Sequence, residues 1–146
     1  EQEGAVLSNN LVMACSDDGF YLNSAARSKV LHNTLIDTAG ITVRYPTSSA
    51  DLTANLVDGP IKARDGGLVR AAHNRSTAIA WLYAGRHPVR GLWRDPMQFD
   101  FGWDDEAPRL DAPADPLAGR DLCGGKRGAG PRYGAFEDFG ACLEAR

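Results

Sequence analysis

Four segments decide how this chain is read: Val6-Leu7-Ser8-Asn9-Asn10-Leu11, Val30-Leu31-His32-Asn33-Thr34-Leu35, Leu52-Thr53-Ala54-Asn55-Leu56-Val57 and Ala71-Ala72-His73-Asn74-Arg75-Ser76. In each, an aliphatic or small residue is followed three positions later by Asn, and two positions after that by another small or apolar residue. Aligned on Asn9, Asn33, Asn55 and Asn74, the copies lie 24, 22 and 19 residues apart. A period near 20 residues marks a solenoid, whose turns bury their apolar faces only by stacking on one another. Asn suits the corner of such a turn because it tolerates a left-handed bend and its amide bonds nearby backbone. Stacked asparagines can also bond one another along the axis, as in the Asn ladders of other stacked sheets. The alternative is a set of ordinary turns that each contain Asn.

Each of the first three copies is followed by an alternating piece. Gly19-Phe20-Tyr21-Leu22-Asn23 matches Gly40-Ile41-Thr42-Val43-Arg44, and Pro60-Ile61-Lys62-Ala63-Arg64 follows the same pattern. Side chains alternate along a strand, so Phe20, Ile41 and Ile61 should point inward with Leu22, Val43 and Ala63. Tyr21, Thr42 and Lys62 then form one outward column, and Asn23, Arg44 and Arg64 a second. No segment has a helical period. Residues 24–28 make a helical turn at most, and 47–51 read as a loop. Residues 78–83 read as one more strand, whose aromatics cover the end of the stack. Beyond Arg86 the composition shifts to Pro, Asp, Gly and Arg. Residues 1–85 are therefore expected to form the coils. Residues 86–146 are expected to form an extended tail packed along them, anchored by Trp93, Phe99, Phe101, Trp103 and Phe136.

Apolar content of 43%, charged content of 24% and a net charge of −3 are ordinary for a soluble globular chain. They make no electrostatic case for nucleic acid as a partner. No apolar run approaches the ~20 residues that span a bilayer, so no membrane partner is implied. Of the three cysteines, Cys123 and Cys142 bracket a Gly-rich stretch, and closing that loop stabilises by about 3 kcal/mol where geometry allows. Three reduced thiols are the other possibility. Cys15 is the odd one, either buried or bonded outside the chain.

The repeat, with its His32-Asn33-Thr34-Leu35 element, resembles the right-handed parallel β-helix proteins of the pectin-lyase-like superfamily. The tail adds to the likeness. Asp121-Leu122-Cys123-Gly124-Gly125-Lys126-Arg127, followed by Tyr133-Gly134-Ala135-Phe136-Glu137, is similar to the D-x-x-G-x-x-R … D-I-G-A-F/Y-E ending of many secreted bacterial β-helix proteins. Arg132 and Tyr133 stand where acidic and apolar residues usually precede that ending. The resemblance implies an all-β, right-handed parallel β-helix of about three to four coils with an extended C-terminal tail, bacterial and secreted or periplasmic. Since the chain enters its first coil almost at once, we expect the last coils of a longer solenoid. The first-coil edge would be covered by upstream coils or another subunit.

The outward columns are the best place to look for chemistry. Neighbouring strands lie about 4.8 Å apart, and two unit charges at that spacing repel by about 3 kcal/mol at an effective dielectric near 20. A stacked Arg44/Arg64 pair beside Lys62 therefore invites an anion. Asp65 or Asp58 could supply it, as could a carboxylate or sulfate of an acidic sugar, which Arg binds bidentately. In the lyases of the resembled superfamily, basic residues on the outer face carry out β-elimination. The resemblance implies Lys62 as base, Arg44 and Arg64 on the uronate carboxylate, and Tyr21, Asn23, Tyr45 and Asp65 around the sugars. A basic side chain serves as base only when it can shed its proton, which adjacent arginines promote.

His32 and His73 both precede repeat asparagines, two coils or about 10 Å apart, too far for joint metal ligation. They read as corner histidines bonding backbone. Asp100, Asp104, Asp105 and Glu106 could form a Ca²⁺ loop or simply a solvated turn, and no other cofactor is implied. Asn74-Arg75-Ser76 matches a glycosylation sequon. The function expected is interaction with an acidic polysaccharide, in a lyase-like enzyme if any; the alternative is a non-catalytic structural or adhesive solenoid.

Overall fold

The computed structural model describes residues 2–78, 88–104 and 106–144. Its regular structure is mostly short parallel strand wound into coils. After β1 (Gln2–Glu3), the first coil carries β2 (Val6–Ser8), β3 (Leu11–Met13) and β4 (Phe20–Asn23). A short β5 (Ala25–Ala26) pairs back onto β1. The second coil carries β6 (Ser28–Leu31), β7 (Thr34–Ile36) and β8 (Ile41–Arg44). The third carries β9 (Ser49–Thr53), β10 (Leu56–Val57) and β11 (Ile61–Arg64), and the fourth β12 (Leu68–Ala72) and β13 (Arg75–Ser76). Stacking yields three parallel sheets: β2-β6-β9-β12, β3-β7-β10-β13 and β4-β8-β11. The chain is a parallel β-solenoid of about four turns. Two segments differ from expectation: residues 24–28 hold β5 and the start of β6, and the presumed loop at 47–51 is strand from Ser49. Of the expected strand at 78–83, all but Ala78 lies outside the described residues.

The interior is the stacked apolar set of the three sheets: Leu22, Val30, Leu35, Ile41, Val43, Leu52 and Val57 are buried against one another. In the third sheet, Phe20-Ile41-Ile61 and Leu22-Val43-Ala63 stack in the expected register. Ala63 nevertheless remains exposed, because β11 is the outermost described strand of that sheet. Thr42 departs the other way. It lies between Tyr21 and Lys62 in register, and those longer side chains bury it completely.

The asparagine ladder exists, but its first rung is Asn10 rather than Asn9. Pairing of β2 with β6 sets Leu7 against Val30, which brings Asn10 level with Asn33. Asn10 Nδ2 donates to Asn33 Oδ1 (2.9 Å), Asn33 Nδ2 to Asn55 Oδ1 (2.9 Å) and Asn55 Nδ2 to Asn74 Oδ1 (2.8 Å). Each of those oxygens also accepts the backbone N–H of the asparagine one coil earlier. The second amide hydrogen of Asn33, Asn55 and Asn74 goes to the carbonyl of Leu7, Val30 and Leu52. Every rung therefore satisfies polar groups that the corner buries. The left-handed bend falls one residue earlier, on Asn9, His32, Ala54 and His73 (φ 52–61°). The asparagine is needed for its amide, not for its φ.

The tail has more structure than the sequence suggests. β14 (Trp93–Asp95) and β15 (Asp100–Trp103) form an antiparallel hairpin, and α1 (Phe139–Glu144) is a short helix. Trp93, Phe101 and Phe136 bury themselves with Val89 and Leu92 against Ile36 and Leu56 of the second sheet. Phe136 stacks on Phe101 at 4.7 Å and Trp93 on Trp103 at 5.3 Å. Phe99 is not an anchor: it occupies the left-handed hairpin turn and is 67% exposed. Cys123 and Cys142 are joined as a disulfide, with Cα atoms 4.7 Å apart, while Cys15 is a half-buried free thiol.

Candidate functional site

The outer face of the third sheet gathers most of the residues singled out from sequence. Asn23, Arg44 and Arg64 stack in register, as do Tyr21, Thr42 and Lys62. The next residues, Ser24, Tyr45 and Asp65, all take positive φ (54, 72 and 47°), turning the chain out of the sheet at one corner. That turn swings Tyr45 and Asp65 toward Arg44. The Arg44 guanidinium bonds the Asp65 carboxylate through Nε, donates from Nη1 to the Tyr21 hydroxyl (2.9 Å) and lies 4.5 Å from the centre of the Tyr45 ring. The Tyr21 hydroxyl first, and Asp65 second, hold Arg44 even more firmly in its charged form.

Arg64, exposed beside Arg44, has no ion pair among the described residues. Tyr21 and Tyr45 keep 46% and 37% of their surface open. Asn23 flanks Arg44 from the other side, its Oδ1 accepting from Ser24 Oγ (3.2 Å). Lys62 stands one column away, with its ammonium 4.0 Å from Asp18 Oδ1. Sequence reasoning missed Asp18. It sits in the turn before β4, where strand alternation gives no direction, and only the Asp17-Asp18 pair beside Gly19 hinted at it. Asp58, the other anion weighed for the arginines, is fully buried at a different corner. It pairs with Arg90 at 3.3 Å and accepts the Asp37 N–H.

The tail motif turns out to be a second polar centre. Arg127, its side chain wholly buried, donates to Glu137 Oε1 (2.7 Å), Asn9 Oδ1 (2.7 Å) and the Gly134 carbonyl (3.0 Å). Glu137 Oε1 also accepts the Arg132 N–H, and Asp121 accepts the N–H groups of Gly125 and Glu137. The clasp lands on the ladder corner through Gly134 N–H to the Ala54 carbonyl (2.7 Å) and Ala135 N–H to Thr34 Oγ1 (3.0 Å). A Cβ on Gly134 would sit 2.6 Å from Thr34 Oγ1, so only glycine fits. His32 lies beneath it. Burial, reinforced by the Arg127 charge, lowers its pKa to about 4.

His73 shares the His32 corner column with Ala54 between them, so the two rings are two coils apart as expected. Asn74 of the sequon spends its amide inside the ladder. Of the acidic run, Asp100 pairs with Arg94 at 3.0 Å and Asp105 lies outside the described residues. Among the described residues no group of three His, Cys, Asp or Glu side chains is placed to hold a metal ion, and no helix is long and apolar enough to cross a membrane.

A four-turn parallel β-solenoid with a clasped tail is thus the class that fold and site define. No family model, curated protein or solved structure matches the chain.

Proposed function

We propose that the outer face of the third sheet binds the carboxylate-bearing sugars of an acidic polysaccharide, in a secreted or periplasmic right-handed β-helix of the pectin-lyase-like kind. The observation that carries this reading is the fixed Arg44. Held by Tyr21, Asp65 and the Tyr45 ring, it keeps donors facing outward with little rotamer freedom left to lose, which favours binding. Arg64 alongside supplies a second, uncommitted guanidinium, and the half-open tyrosine rings offer apolar faces for sugar rings. Two cations one strand apart match the carboxylates of a uronate chain laid across the sheet.

Binding is favoured over elimination because Lys62, the residue that elimination would need as its base, stands one column away from Arg44, with its ammonium 4.0 Å from Asp18 Oδ1. Titration calorimetry with alginate and pectate oligomers at low salt tests the proposal. Arg64→Ala is expected to weaken binding roughly tenfold, about 1.4 kcal/mol. Unchanged affinity in an Arg44→Ala/Arg64→Ala double variant would make Arg44–Asp65 a structural pair and favour the second reading, a non-catalytic structural or adhesive solenoid. An ultraviolet-absorbing unsaturated product that disappears in Lys62→Ala would instead restore the lyase reading.

A further inference from the structure

The clasp uses Asp121 and Arg127 but leaves out two cations beside them, Arg120 and Lys126. These two face each other across a single antiparallel pair. Such a pairing brings Cα atoms to about 5 Å and is unfavourable for like charges. Both residues are exposed, and neither has an ion pair among the described residues. Arg44 and Arg70, by contrast, each meet a carboxylate. Arg120 is nevertheless held in place: its Nη1 donates to the Gly124 carbonyl (2.8 Å), and its own carbonyl accepts from Asn9 Nδ2 (2.6 Å). The Nε–Nη2 edge of the guanidinium bonds nothing among the described residues, so two parallel donors stay available. Both cations line an open depression of about 530 Å³ on the tail side of the ladder corner. Asn9 and Asp121 line it too, with their acceptors already engaged by Arg127, Gly125 and Glu137. Pro116 and Leu117, the latter 55% exposed, supply an apolar wall. Apart from Asn9, every one of these side chains belongs to the tail, and none is shared with the Arg44 face.

We propose that this depression binds a phosphate monoester, its phosphoryl group held between Arg120 and Lys126 and its organic part lying on Pro116 and Leu117. The planar guanidinium edge takes two oxygens of one phosphoryl group, and the ammonium takes a third as a compact point charge. A phosphate monoester carries about −1.5 to −2 charges at neutral pH, which matches two facing cations. A carboxylate or a sulfate ester carries one and leaves part of their repulsion in place. Bound phosphate replaces a like-charge contact with two opposite-charge ones, in a site the clasp has already made rigid. This second site stands independently of the polysaccharide reading of the third sheet.

Titration calorimetry at low salt with phenyl phosphate, phenyl sulfate and inorganic phosphate provides the test. Phenyl phosphate should bind roughly tenfold or more tightly than phenyl sulfate, and Arg120→Gln and Lys126→Gln should each weaken it by roughly tenfold. Leu117→Ser should weaken phenyl phosphate while leaving inorganic phosphate unchanged. The Lys126 ammonium makes no hydrogen bond among the described residues, so Lys126→Gln should unfold no earlier than the wild type in phosphate-free buffer. Phenyl phosphate should raise the unfolding temperature of the wild type but not that of the Arg120→Gln/Lys126→Gln double variant. A wild-type chain that binds no phenyl phosphate up to about 10 mM overturns the proposal. So does an affinity unchanged in the folded double variant, or phenyl sulfate binding as tightly as phenyl phosphate.

Discussion

The ladder and the clasp meet at one corner of the solenoid and answer the same demand, since both satisfy polar groups buried where the second sheet begins. They do so with opposite chemistry. The ladder is neutral, local and repeated, each rung bonded to a rung 19 to 23 residues away. The clasp is charged and built once, its Arg127 reaching Asn9 across 118 positions. Neutral rungs can fail one at a time, because a lost amide leaves only its neighbours' hydrogen bonds unmet. A charged clasp fails as a unit, because any missing member strands a buried ion.

The largest effect should come from Arg127→Met, which leaves Glu137 without its partner. We expect a loss of about 4 kcal/mol in urea unfolding, with faster amide exchange at Ala135. A loss no greater than that of a surface substitution would mean that the tail merely rests on the coils. Acid should act next. His32 is about 4 in the folded chain against 6.5 for an ordinary histidine, so the unfolded state binds the extra proton first. The stabilisation is full above pH 6.5 and drains away as pH falls toward 4, by about 3 kcal/mol in all. His32→Gln should flatten that slope; an unaltered pH profile would assign the loss to the carboxylates instead.

Rung substitutions come last. Asn55→Leu removes the acceptor for two Asn33 donors and frees the Val30 carbonyl, at a cost of about 2–3 kcal/mol. Asn74→Ala, at the last described rung and only half-buried, should cost about 1 kcal/mol. Equal losses at Asn55 and Asn74 would contradict the view of a ladder whose worth depends on burial.

The repeat made the solenoid legible because it carries two periodicities at once, one within strands and one between coils. The register of the third sheet followed directly, and with it the neighbours of Arg44. The off-by-one at Asn9 was not legible, since Asn9-Asn10 offers two candidates and only backbone pairing of Leu7 with Val30 decides between them. The tail motif was visible as a pattern but not as a function. Asp121, Arg127 and Glu137 converge through turns whose directions no alternation dictates. Asp18 beside Lys62 was hidden for the same reason. Phe99 misled because aromatic content alone does not say which way a hairpin turn faces.

The pairing register also shows where this architecture accommodates extra sequence. Between positions that pair in register across the ladder corner, every coil spends five residues: Val6 to Leu11, Lys29 to Thr34, Asp51 to Leu56 and Arg70 to Arg75. The next corner spends nine, seven and five, from Leu11 to Phe20, Thr34 to Ile41 and Leu56 to Ile61. Nearly all variation in coil length is thus confined to a single edge of the prism, widest at Ala14–Gly19. A loop grafted there lengthens a turn that already varies, whereas one residue added at the asparagine corner would throw every rung out of line.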